Sequence, residues 1–374
     1  MYAVVLAGGG GTRLWPLSTP EHPKPFLRLS GDETLIQRSV ARLAPLVAPA
    51  DVYVVTDRRH LDLVREQLPE IPESNLLGEP MGRNTAAAVA LAAEAIARPG
   101  DEVMLVLPAD AHIADEAGLR AALAVAGDVA AGGSLVTLGV MPDRPETGYG
   151  YILARPPARV VGGLDTYAVD RFVEKPTAER AQELIATGLA SWNAGIFVWT
   201  RAAIRDRLSR HAPEIVGPIR AICASGPMGD LNVAYPLLPA TSIDYAVMEP
   251  ASLEGAVAVV PIDVGWSDLG SWSALRDAWQ AASRAGASRA GIGDSEAAVA
   301  GVVGAGNTRD FGSMNSLVLA GDRLVVTIGL SDTIVVDTPE ALLVCAAEHS
   351  QEVRSIAEEM ARSSNAAPTR ETRP

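Results

Sequence analysis

Four short apolar runs, at residues 2–7, 51–56, 102–107 and 135–140, alternate with stretches of helical periodicity at 34–44, 59–68, 84–98 and 119–131. Apolar runs of this length suit strands buried on both faces, and helices between them make crossover connections. The pattern predicts βαβ units and a mostly parallel sheet, an α/β fold. Ligands of such sheets lie beyond the carboxyl ends of the strands, so the segments after Leu6 and Leu107 are natural site positions.

From about Tyr167 to Val260 the pattern is mixed, with extended pieces at 167–173 and 195–200 and helices around 177–187 and 200–210. A further helix spans 272–282, and a Gly/Ala/Ser-rich stretch at 285–306 follows it. Short extended pieces at 316–320, 324–328 and 333–337, then a helix at 350–361, predict a small β domain. The expected organisation is a catalytic domain over 1–284, a small β domain with a closing helix over 285–362, and a disordered polar tail at 363–374.

Charge and cysteine usage exclude several function classes. The formal net charge of −14 argues against a nucleic-acid or anionic-membrane partner. A phosphate-bearing ligand would need local cations and backbone amides. Cys223 and Cys345 are too few and too far apart for a disulfide framework or a zinc site. The first residues lack a charged region and a cleavage-site pattern, and no apolar run reaches the ~18 residues of a membrane span. A cytoplasmic protein is expected. Of 31 basic residues only Lys24 and Lys175 are lysines, which singles out two places where a compact ammonium is kept.

The first apolar run ends in Gly8-Gly9-Gly10-Gly11-Thr12-Arg13. Such a loop can present backbone N–H groups to phosphate oxygens, or can simply be a turn. A dinucleotide fingerprint would need a small residue where Arg13 stands, and a P-loop would end in Gly-Lys-Ser/Thr; neither fits. Arg13, His22, Lys24 and Arg28 gather positive charge just beyond it. Asp110 follows the third run, where a carboxylate can hold a metal–phosphate complex or cap the next helix. Asp268 lies between glycines and tryptophans in Gly265–Trp272. Mg²⁺ takes one or two protein carboxylates and completes its octahedron with phosphate oxygens and water, so two separated aspartates suffice.

Glu174-Lys175-Pro176 follows an extended run; it can meet sugar hydroxyls and a phosphate, or be an exposed ion pair. Glu146–Tyr151 and Trp192–Phe197 carry glycines for close backbone approach, and equally read as hairpin turns. His112 reads as a capping or structural residue rather than a base, and no Ser-His-Asp or Cys-His set is present.

With these residues in order, the sequence resembles the nucleotide-sugar pyrophosphorylases, most closely their guanylyl- and mannose-specific members. The resemblance rests on Leu6–Ser18, Pro23-Lys24, Glu79–Ala86, Leu107–Asp110, Val173–Pro176, Trp192–Gly195, Ser242–Glu249, Trp266–Trp272 and Thr333–Leu343, and covers roughly 1–360. Gly10 and Ala194 stand where the family commonly has Ser. The resemblance implies a Rossmann-like, mostly parallel mixed sheet of the GT-A-like kind. It also implies a small C-terminal domain resembling part of a left-handed β-helix, with a homodimer through that domain.

The same resemblance implies Mg²⁺-assisted transfer of GMP from GTP to mannose 1-phosphate, giving GDP-mannose and pyrophosphate. Leu6, Gly8, Gly9, Gly10, Gly11, Thr12 and Arg13 would hold the triphosphate with Lys24 assisting, and Glu79, Gly82, Asn84 and Thr85 the guanine side. Gly148, Glu174, Lys175, Asn193 and Asp244 would contact the sugar phosphate, and Asp110 and Asp268 the metal. Arg13, Lys24, Asp110 and Asp268 would then form the catalytic set. Longer family members carry a C-terminal isomerase domain, which the length of this sequence leaves no room for. The alternatives are a sister transferase using glucose 1-phosphate with UTP or dTTP, and a nucleotide-sugar binding protein without turnover.

Overall fold

The computed structural model describes residues 1–9, 12–29, 31–225, 231–284 and 302–366. Contacts divide the chain into two compact units, one of residues 1–8 and 36–266, the other of residues 9–35 and the chain from Ser267 onward.

The first unit is built on a nine-stranded sheet. Its strands are β1 (Tyr2–Ala7), β2 (Val52–Asp57), β3 (Leu76–Glu79), β4 (Val103–Pro108), β5 (Leu135–Val140), β6 (Gly150–Val161), β7 (Leu164–Glu174), β8 (Ala190–Thr200) and β9 (Val257–Ile262). Their order is β3-β2-β1-β4-β8-β5-β9-β7-β6, and β6 also pairs with β8. The wing β3-β2-β1-β4 is parallel throughout, as expected for the runs that form β1, β2 and β4; β3 was not among the expected strands. β8 runs antiparallel to both β4 and β5, while β5 and β9 are parallel, so the sheet as a whole is mixed.

The helix Asn84–Ala95 is apolar on every side, and Ala86 through Ala93 are all buried. Such a helix must be enclosed. It packs on β1 and against the helices Arg201–His211 and Pro213–Ser225, its alanines allowing close approach. The helix Glu116–Ala131 packs mainly on β5, β8 and β9.

In the second unit, β10 (Val302–Ala305), β12 (Ser316–Leu319) and β14 (Thr333–Asp337) stack in parallel, with β15 (Leu342–Ala346) antiparallel at the edge. β11 (Thr308–Phe311) pairs in parallel with β13 (Val325–Ile328). Val303, Leu317 and Ile334 sit in register across successive coils and are at most 3% exposed, an inward ladder of a β-helix-like stack. Leu14, Leu27 and Leu29 join Trp272, Leu275, Trp279 and this ladder in one core. The indole N–H of Trp272 donates to the Trp15 carbonyl at 3.0 Å and that of Trp279 to the Leu29 carbonyl at 2.7 Å. The segment after Gly9 is thereby tied to the C-terminal part of its own unit. The last helix, Val353–Ala366, extends over residues 363–366 that the sequence reading left in the tail; 367–374 lie outside the described residues.

Among the described residues no helix is long and apolar enough to cross a membrane. Trp272 is fully buried, so Trp272→Ala should cost about 3–5 kcal/mol through the cavity and the lost hydrogen bond. An unfolding midpoint equal to that of the parent protein would contradict its place in this core.

Candidate active site

Parallel pairing brings the carboxyl ends of β1, β2 and β4 together. The Ala109 N–H donates to the Leu6 carbonyl at 3.0 Å, and the Thr56 hydroxyl to the Ala7 carbonyl at 2.8 Å. The chain leaves this rim through Gly8 and Gly9, and Gly9 has φ +101°, which a side chain would disfavour. Gly10 and Gly11 lie outside the described residues.

Asp110 follows β4 and is partly buried. It does not cap the next helix: Asp115 does, its Oδ1 accepting the Gly118 N–H at 2.9 Å. His112 is held well below its ordinary pKa, at about 4, by burial and then by Arg38 and Arg42. It is a neutral imidazole at physiological pH, which suits a structural role and not a proton-acceptor one that switches near neutrality.

Glu79 ends β3 and is 5% exposed. Burial pushes its carboxyl up to about 7, against the opposing effect of the Tyr235 hydroxyl, which donates to Oε1 at 2.5 Å. Four residues beyond Pro80, Asn84 adopts φ +64° and its Oδ1 accepts the Thr85 N–H at 2.8 Å. The Thr85 hydroxyl accepts the Ile243 N–H at 2.8 Å, and the Arg83 guanidinium donates to the Pro236 carbonyl. The Gly82–Thr85 turn is therefore pinned to the segment 235–243 of the same unit.

A second group gathers around Gly150. A Cβ there would lie 2.6 Å from Glu174 Oε2 and 3.7 Å from Asn193 Cβ, so a larger residue would have to turn the Glu174 carboxylate aside. Asn193 Nδ2 donates to Asp244 Oδ1 at 2.6 Å, while its Oδ1 accepts the Gly195 N–H at 3.1 Å. Both ends of this amide are thus fixed. Asp244 comes from a wide helical turn, Asp244–Met248, and burial raises its pKa. Lys175 has φ +44° and its ammonium lies 3.2 Å from Glu174 Oε1. Gly148 is exposed, and its N–H donates to Glu146 Oε1 at 2.9 Å. Trp192–Phe197 is not a hairpin turn: it lies within β8, whose pairing with β5 shifts register there, and Gly195 has φ +68°. A bulge re-aims a side chain, here Asn193. Tyr149 packs edge-on against Trp192 at 5.3 Å and Trp266 at 5.4 Å, an aromatic wall that the sequence reading did not assign.

In the other unit, Thr12–Leu14 form a short turn with Arg13 exposed. Lys24, expected to meet phosphate, is 7% exposed and its ammonium donates to the backbone carbonyl of Asp268. Asp268 Oδ1 accepts the Gly270 N–H at 3.0 Å, and a Cβ on Gly270 would lie 2.3 Å from Asp268 Oδ2. The loop after Ser267 thus presets one carboxylate. Among the described residues no group of three or more His, Cys, Asp or Glu side chains could hold a metal.

The sequence model of the Nucleotidyl transferase family matches residues 2–284, and that of the MannoseP isomerase/GMP-like β-helix domain matches 309–360. A mannose-1-phosphate guanylyltransferase of Escherichia coli K12 is 39% identical over 372 residues, covering 96% of this chain and 73% of the relative. The alginate biosynthesis protein AlgA of Pseudomonas aeruginosa is 38% identical over 370 residues, covering 96% and 72%. Among solved structures, a mannose-1-phosphate geranyltransferase of Thermus thermophilus superposes with a TM-score of 0.83 at 34% identity, covering 96% of this chain and 99% of that one. Nucleotidyltransferases of this kind generally use a divalent metal and act on a nucleotide and a sugar phosphate. By the span of the match and the identity along it, the chain belongs to the nucleotidyl transferase family.

Proposed function

We propose that the chain is a mannose-1-phosphate guanylyltransferase: it transfers GMP from GTP to mannose 1-phosphate and releases pyrophosphate and GDP-mannose. The observation that carries the sugar side of this reading is the Glu174–Asn193–Asp244 group around Gly150. It offers acceptors and donors to a polyol, with glycine at 150 leaving the Glu174 carboxylate undisturbed beside them.

The nucleophile is a phosphate oxygen of the sugar phosphate, whose second pKa of about 6 leaves it largely dianionic at neutral pH. It needs no general base, in keeping with the neutral His112. Attack on the α-phosphorus is in line with the leaving pyrophosphate and proceeds without a covalent enzyme intermediate, so the chain's task is positioning and charge neutralisation. The exposed Arg13 binds triphosphate oxygens, with the glycine loop that follows β1 as a further source of donors. Lys175 meets the sugar phosphate and Gly148, Glu174 and Asn193 the sugar, while Asp244 fixes the Asn193 amide. Glu79, Gly82, Asn84 and Thr85 receive the guanine side. Lys24 belongs to the catalytic set through the Asp268 main chain that it holds.

Asp110 and Asp268 fit Mg²⁺ by donor chemistry, since both offer the hard carboxylate oxygens that this ion prefers and few are needed. When bound, the ion supplies charge neutralisation at the reacting phosphates.

We further propose that 1–284 form the catalytic domain and 285–362 the accessory β domain, whose closing helix runs on to Ala366, with a cytoplasmic location. Exposed Phe311, Met314, Val326, Ile328, Leu342 and Val344 suit self-association of the β domain as a homodimer.

Pyrophosphate release across a matrix of nucleoside triphosphates and sugar 1-phosphates should be fastest with GTP and mannose 1-phosphate; a maximum at UTP or dTTP with glucose 1-phosphate would overturn the assignment. Asp110→Asn should lower metal-dependent turnover by a factor of ~10²–10³, while near-parent turnover would remove Asp110 from the metal site. Asp244→Ala should raise the KM for mannose 1-phosphate about tenfold with a smaller change in kcat, because Asn193 loses the carboxyl that fixes its amide. A change confined to the GTP side would show that Asp244 acts elsewhere.

A further inference from the structure

Tyr235 was given no role by its sequence, where it stands alone ahead of Pro236. In the structure it is fully buried, and its hydroxyl meets the one carboxylate of the nucleotide group that is itself almost fully buried. We infer that Tyr235 is a positioning residue for nucleobase selection, its hydroxyl holding Glu79 as a fixed acceptor for the donor edge of guanine. This rests on the guanylyltransferase reading above.

The geometry around Glu79 is specific. Oε1 takes the Tyr235 hydroxyl at 2.5 Å. The other oxygen lies towards the end of β1, where a Cβ built on Gly8 would be 3.9 Å from Oε2. Pro236, the next residue after Tyr235, accepts the Arg83 guanidinium through its carbonyl, so one short turn, Tyr235–Leu237, fixes both Glu79 and the loop at Gly82–Asn84.

The chemistry explains why a hydroxyl is suited to this place. Guanine presents an N1–H and a 2-amino group side by side, both donors. An ionised carboxylate is acceptor-only and has lone pairs left after Tyr235 takes one. A protonated carboxyl carries a donor of its own and matches that edge poorly. Glu79 is pushed towards the protonated form by burial and by Asp57 at the end of the neighbouring β2, a carboxylate itself paired with Arg59. No charge comes from Gly8, and Arg83 on the facing loop is committed to the Pro236 carbonyl. The Tyr235 hydroxyl acts in the opposite sense, since a donated hydrogen bond favours the charged form. It therefore both restrains the rotamer and keeps the acceptor pattern that guanine needs.

The sign of the pH dependence follows. Glu79 must be ionised to accept guanine, so kcat/KM for GTP in the parent enzyme should rise as pH increases through about 7, the value to which its carboxyl is raised. Tyr235→Phe keeps the buried ring and removes the donor, so the inflection should move to higher pH.

The test is steady-state kinetics with GTP and with inosine triphosphate, which lacks the 2-amino group, from pH 6 to 9, on the parent enzyme, Tyr235→Phe, Glu79→Gln and the double variant. At neutral pH Tyr235→Phe should lower kcat/KM for GTP about tenfold, mostly through KM, and reduce the preference for GTP over inosine triphosphate. Glu79→Gln should abolish the inflection, and adding Tyr235→Phe to it should leave the inosine comparison where Glu79→Gln alone puts it. An unchanged nucleotide preference and an unmoved inflection in Tyr235→Phe, in an enzyme that does make GDP-mannose, overturn the role of Tyr235. Additive effects in the double variant overturn it as well, because the hydroxyl would then act apart from Glu79. A parent enzyme that makes no GDP-mannose from GTP overturns instead the reading on which the inference rests.

Discussion

The parallel pairing of β1 with β2 and β4 is the constraint on which the first unit depends. It forces three strand ends to the same rim, and two hydrogen bonds, from Ala109 to Leu6 and from Thr56 to Ala7, lock the rim together. Everything placed there inherits its position from the sheet: Gly8 at the end of β1, Asp110 just past β4, and Glu79 at the end of β3, one strand further out. A rim of this kind offers backbone amides pointing outward, which is how an acidic chain can receive an anionic ligand without a large basic surface.

Three strands of the parallel wing, β1, β2 and β4, and β5 outside it were legible because their pattern is strong, whereas the four-residue β3, ending in Gly78-Glu79, carries no such run. Four apolar runs and the helices between them match the structure to within a few residues. Elsewhere the signals conflicted. The strand β6, not among the expected runs, carries Pro156 and Pro157, residues that disfavour a strand interior. They are tolerated because β6 has left β8 by then and its register with β7 skips from Arg155 to Arg159, where no ladder donor is needed. Its hairpin partner β7 follows through Gly162-Gly163, both at positive φ, a two-residue turn whose sequence signal was present but unused. β9 likewise carries a proline, Pro261, and β10 and β11 are too short to stand out from glycine-rich surroundings.

The candidate site shows the same division. Motifs with unusual composition, such as the glycine run and Glu174-Lys175, could be found from sequence because chemistry restricts the residues that serve there. Whether Asp110 caps the next helix was decided only by local geometry, since Asp115 holds that place. What no pattern could reveal is which buried side chain supports which. Asn193 and Asp244 are 51 positions apart and Glu79 and Tyr235 are 156 apart, yet each pair shares one short hydrogen bond. Pairings over such separations leave no periodicity in a single sequence.

Lys175 adopts a backbone conformation that glycine occupies freely and lysine only at a cost of about 1–2 kcal/mol. Comfort of the main chain and possession of the ammonium are therefore opposed at this one position. A search for thermostable variants would be drawn to glycine there, because the fold would relax while the charge disappeared. Selection for heat resistance alone would then drift towards a sturdier but chemically emptied protein.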